Sequence, residues 1–69
     1  MIKKEMLKTE IKRSGYRLGF IAKELGLSPY GFRKKVDGIT EFKVSEVKKL
    51  SNLLKLSEKK RNSIFFNVK

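Results

Sequence analysis

The 69-residue chain contains no cysteine, no histidine and no tryptophan. Without thiols there is no disulfide and no thiolate chemistry, and a reducing setting fits. Without imidazoles as well, the usual zinc ligand sets are gone, together with the commonest general bases and nucleophiles of enzymes. Acid is scarce: seven Asp and Glu stand against eighteen Lys and Arg. The seven, Glu5, Glu10, Glu24, Asp37, Glu41, Glu46 and Glu58, lie mostly among lysines as surface pairs, and none falls in an apolar pocket suggested by the pattern. Neither an enzyme nor a metal or cofactor site is expected. Long apolar runs are missing too. The opening MIKKEMLKTE carries charges where a signal peptide would need an apolar run, and no window approaches a membrane span, so a cytoplasmic protein is expected. Proline occurs once and glycine five times, so each marks a definite place in the chain.

What is abundant is positive charge, a formal net of +11. On a body large enough for one domain, spanning 1–69, such an excess draws polyanions, with nucleic acid first among them. An acidic protein or an anionic membrane surface would also suit it. The excess is spread along the whole chain, so it supports binding more than it locates it.

The stretch that organises the chain runs from Tyr16 to Gly38. Ile21, Ala22 and Leu25 share one face of a helix over Tyr16 to Leu25, weakly capped because Tyr16-Arg17 stands where Ser or Thr would cap. Gly26 stops that helix by accepting the left-handed conformation of a C-terminal cap. Ser28-Pro29 starts another, over Ser28 to Val36: Ser accepts a hydrogen bond from an orphan N–H, and Pro suits the first helical position. Phe32 and Val36 turn inward. A small Ala22 lets the two backbones approach, which predicts a helix-turn-helix that points Tyr30, Arg33 and Lys34 outward. An ordinary helical hairpin in a small bundle is the alternative. In the first case Arg33 is the best base reader, since its planar fork pairs with guanine O6 and N7; Tyr30 suits a thymine methyl or a phosphate, and Lys34 and Lys35 suit the backbone. Gly31 and Pro29 leave the tip with few polar groups.

The remaining segments supply the rest of a core. Met6, Leu7 and Ile11 predict an amphipathic helix from Ile2 to about Ser14, ended by Gly15, with its lysines as a solvated face. After Asp37-Gly38, a loop over Ile39 to Lys43 carries Phe42 into the core. Val47, Leu50 and Leu54, with Leu53 nearby, predict a fourth helix over Val44 to Leu54. Ser57 caps a last turn or two, with Glu58 favourable at its start. The apolar tail, Ile64, Phe65, Phe66 and Val68, needs cover, either by folding back on the first and fourth helices or through a dimer contact.

GFIAKELGLSPYGFRKKVDG, followed by EFKVSEVKKLSNLLKLS and IFFNVK, resembles the lambda-repressor-like (Cro/CI, Xre-type) helix-turn-helix regulators, and within them the short Cro-like or antirepressor proteins of phages of Gram-positive bacteria. The resemblance runs from Leu7 onward. It implies an all-α fold, a compact bundle of four or five helices with the recognition helix at 28–36. It maps base contacts onto Pro29, Tyr30, Arg33 and Lys34. The candidate phosphate contacts are Arg17, Ser28, Lys35, Thr40 and Lys43. Arg17 replaces the family's usual Thr or Gln, and Pro29 and Gly31 replace polar readers. The expected function is that of a transcriptional regulator on double-stranded DNA, as a monomer or a homodimer. The alternative is an antirepressor that binds and masks a phage repressor's DNA-binding domain.

Overall fold

Five helices are present in the computed structural model, which describes residues 2–65. They are α1 (Lys4–Ser14), α2 (Leu18–Glu24), α3 (Pro29–Val36), α4 (Val44–Leu53) and α5 (Glu58–Ile64), with no strand among the described residues. The all-helical expectation holds. Element ends shift by a residue or two: α1 starts at Lys4 rather than Ile2, and α2 at Leu18 rather than Tyr16.

Helix ends follow from local chemistry. Gly26, at φ +73, closes α2: its N–H donates to the Lys23 carbonyl at 3.0 Å and the Leu27 N–H to the Ala22 carbonyl at 2.8 Å. This paired arrangement satisfies the orphan carbonyls of the last turn. A Cβ at Gly26 would meet nothing within 4 Å, so the position needs glycine for its backbone conformation and not for close approach. Ser28 then caps α3, its Oγ accepting from the Gly31 N–H at 3.0 Å, with Pro29 in the first turn. Arg17 gives α2 no side-chain cap, as expected. The start of α4 is secured from the other direction, where Glu46 Oε1 accepts from the Lys43 N–H at 2.8 Å. That is half of a capping box, because a Lys side chain has no acceptor to return the bond.

The core draws on every helix. Leu7 and Ile11 of α1, Ile21 and Ala22 of α2 with Leu25 at its end, Phe32 and Val36 of α3, Val47 and Leu50 of α4 and Ile64 of α5 are all buried. Phe42 enters from the loop between α3 and α4 and meets two aromatic rings edge-on, Phe32 at 6.2 Å and Phe65 at 5.4 Å. Such contacts favour one ring arrangement over others. Leu54, expected among the buried residues of the fourth helix, is the α4 C-cap and only half-buried. The radius of gyration, 10.6 Å, is near the ~11 Å of a well-packed chain of this length.

Two packings fix where α3 sits. α2 packs on α3 more extensively than any other helix pair, and α1 packs on both α3 and α5. Ala22, fully buried, is the small residue of the α2 face. The tail folds back as far as it is described: Ile64 and Phe65 are buried, and the Lys3 N–H donates to the Ile64 carbonyl at 3.0 Å. The expectations for Phe66 and Val68 lie outside the described residues. No helix among the described residues is long and apolar enough to cross a membrane.

Candidate nucleic-acid interface

Helix α3 is the element on which most of the expected contacts fall. With residues 100° apart round the axis, burial of Phe32 and Val36 puts Tyr30 and Lys34 on the far side and leaves Arg33 and Lys35 on opposite flanks. Tyr30 is 73% exposed. The Lys34 ammonium lies 5.5 Å from the centre of the Tyr30 ring, close enough for a cation–π contact that keeps the two side chains together. Pro29 and Arg33 are exposed as well. Of the four expected base contacts, three are exposed and Lys34 is half-buried beside Tyr30.

Lys35 departs from the expectation. Its ammonium lies 3.0 Å from Glu46 Oε1 and donates to the Glu41 carbonyl at 2.8 Å, and its side chain is only 14% exposed. It also sits 6.0 Å from the Phe42 ring centre. Pairing with a buried carboxylate holds it in the protein, so it is withdrawn from the phosphate contacts. The partner corrects a second expectation, because Glu46 is a buried residue and not a member of a surface pair. Burial alone would raise its pKa, but the Lys43 N–H and the Lys35 ammonium outweigh that and hold it below the ordinary carboxylate value. Together these contacts tie the loop over 37–43 to α3 and α4.

The other expected phosphate contacts are all exposed. Ser28 uses its oxygen to cap Gly31, which leaves the hydroxyl proton available to a phosphate oxygen. Arg17 stands at the N-cap of α2, Lys43 at the N-cap of α4, and Thr40 on the loop between α3 and α4. Among the described residues no acidic side chain lies within 4.0 Å of the side-chain charge of Arg17, Arg33, Lys34 or Lys43. Besides Glu46, two carboxylates are occupied elsewhere: Asp37 holds Lys8 at 3.2 Å, and Glu10 holds Lys60 at 3.1 Å and Arg13 at 3.9 Å.

Two features were not foreseen from the sequence. Tyr16 and Phe20 form a tilted aromatic pair, 5.0 Å between ring centres, on the outside of the chain where α2 begins. Arg33 also borders a groove against α1 that Lys12 and Leu18 help to line. Lys8 and Lys12, four apart, share one side of α1, but their spacing does not say that α3 lies against it. Among the described residues no group of three or more acidic side chains converges as a metal site would require. Comparison with protein-family models, with curated proteins and with solved structures finds no match.

Proposed function

We propose that the chain is a sequence-specific DNA-binding transcriptional regulator working in the cytoplasm, in which α2 and α3 act as a helix-turn-helix and α3 enters the major groove. The observation that carries this reading is the division of labour on α3. Of three consecutive cations, Lys35 is locked inward, while Arg33 and Lys34 remain beside Tyr30 with no acidic side chain within 4.0 Å of their charges among the described residues, and Asp37, one turn on from Arg33, is paired with Lys8. Arg33 offers a bidentate fork to a guanine edge, Tyr30 and Pro29 offer apolar surface to a thymine methyl, and Lys34 a point charge. Ser28, Arg17, Thr40 and Lys43, all exposed, serve the phosphates. The resemblance to lambda-repressor-like regulators points the same way, and a Cro-like action needs no chemistry: occupying an operator excludes polymerase or a competing repressor.

Selection of bound fragments from random duplex DNA at moderate salt tests this directly. The expected result is an enriched motif whose affinity falls with salt by a log-log slope of about −0.9 per neutralised phosphate. A palindromic motif means a dimer, and a single half-site means a monomer. Recovery of no motif overturns sequence-specific binding.

A second reading, masking of another repressor's DNA-binding domain, draws on the exposed apolar residues Tyr16, Phe20, Ile39 and Val44. Light scattering with such a repressor, without DNA and after nuclease treatment, gives a heterocomplex if this reading holds and separate species if it fails.

A further inference from the structure

We propose that the groove between α1 and the Arg33 flank of α3 binds a small organic anion with an apolar body, an aryl or short-chain carboxylate. The groove has a volume of about 370 Å³, at the lower end of the range for small-molecule sites. Its floor is apolar, with Ile11 and Val36 buried and Leu18 half-buried. The charged groups on its walls are unequal in what they have left to offer. Lys8 is neutralised by Asp37 across the groove. One helical turn from that pair on each helix stand Lys12 and Arg33, neither with an acidic side chain within 4.0 Å among the described residues.

Two uncompensated cations above an apolar floor specify the class of occupant. A carboxylate takes two parallel hydrogen bonds from the Arg33 fork and a charge contact from Lys12. The body of the ligand covers Ile11, Leu18 and Val36, which removes apolar surface from water. A bare phosphate would use the cations and leave the floor wet, and a neutral arene would use the floor and leave the cations unanswered. Arg33 also belongs to the proposed reading face, so a bound anion and a duplex compete for it. This competition, though not the site itself, rests on the function proposed above.

The test is a titration of the full chain with 2-naphthoate followed by backbone and methyl NMR. Saturable shifts centred on Ile11, Leu18 and Val36 are expected. Affinity should fall about tenfold for uncharged 2-naphthamide and about fivefold in Lys12→Gln. Lys48→Gln makes the same charge change on the exposed side of α4 and should leave the affinity unchanged. Shifts centred elsewhere, equal binding of the amide, equal binding of inorganic phosphate, or indifference to Lys12→Gln each overturn the site. With a selected duplex, 2-naphthoate at ten times its dissociation constant should raise the duplex Kd about tenfold. Simultaneous binding without mutual weakening overturns the competition. If no duplex binds while the groove shifts persist, the proposed function fails and the anion site stands.

Discussion

Leu25-Gly26-Leu27-Ser28, between α2 and α3, and Leu54-Lys55-Leu56-Ser57, between α4 and α5, make the same turn. In the second, the Lys55 N–H donates to the Asn52 carbonyl at 3.2 Å and the Leu56 N–H to the Ser51 carbonyl at 2.9 Å, bond for bond as at Gly26 and Leu27. Ser57 Oγ caps α5 through the Lys60 N–H at 3.1 Å, as Ser28 caps α3. The helices that leave these turns nevertheless pack differently. The fourth residue after Ser28 is Phe32 and the eighth is Val36, which draw α3 onto the core beside α2. The corresponding residues after Ser57 are Arg61 and Phe65, and α5 packs on α1 instead. The turn sets where a helix starts, and the apolar residues that follow set where it lies and which face is left for a ligand.

The small residue four before the turn offers the sharpest way to break the likeness. Ala22 is fully buried on α2, whose most extensive packing is with α3. Ala22→Leu should overpack that contact and destabilise the chain by about 2–3 kcal/mol, read as a lower urea midpoint by circular dichroism. A loss too small to measure would mean that the α2–α3 approach does not need a small side chain.

The exposed faces come next. On a selected duplex, Arg33→Ala should weaken binding by about 2 kcal/mol and relax the preference at one base pair. Arg61→Ala, on α5 beside Asn62, the residue that corresponds to Arg33, should change only the salt slope, by at most about one unit. Fluorescence anisotropy against matched and mismatched duplexes separates the two. Equal losses on all sequences would demote Arg33 to a backbone contact.

The third helix start, at α4, is made without this turn, and it tests how much a carboxylate substitutes for a Ser cap. Glu46→Gln keeps an acceptor for the Lys43 N–H and leaves Lys35 without its charge partner, which should cost about 1–2 kcal/mol at neutral pH. The folded pKa of Glu46 is depressed. The stability it contributes is therefore present above the unfolded value and is lost as pH falls through the folded one. Wild type should weaken between about pH 5 and pH 3 more steeply than Glu46→Gln. Parallel acid limbs would mean that Glu46 gains nothing on folding.

Sequence reasoning reached the first turn and only half of the second, for a physical reason. Gly26, Ser28-Pro29 and Ser57 act through bonds to residues three or four away, so their chemistry is legible locally. Lys55 adopts φ 55 because the buried helix before it and the partly buried Leu56 after it require that turn, and no local preference of lysine announces this. The direction of Lys35 was illegible for a similar reason: three adjacent cations look alike until Glu46, brought in from α4, selects one. The Arg33 groove depends on α1 lying against α3, which no spacing within either helix encodes.

Ser51 occupies in α4 the position of Ala22 in α2, and its hydroxyl is buried without a hydrogen-bond partner among the described residues. Ser51→Ala makes the two helices alike at that place and removes an orphan polar group, so it should stabilise the chain by about 1 kcal/mol. A fall in the thermal midpoint would mean that the hydroxyl is satisfied in solution.

The smallest effect is expected at the turn itself. Lys55 carries a side chain in the left-handed region, where a Cβ crowds the following carbonyl, and Gly26 shows the same geometry without that crowding. Lys55→Gly removes the strain but gives the unfolded chain more freedom, so the two effects partly cancel. The net gain should be about 0.5 kcal/mol, or roughly 2–4 °C in Tm for a chain of this size. Lys55→Ala controls for the loss of the charge, since it keeps the Cβ and should gain nothing. If Ala and Gly raise Tm equally, repulsion among the lysines and not the backbone distinguishes the two turns, and Gly26 owes its place to something other than its φ.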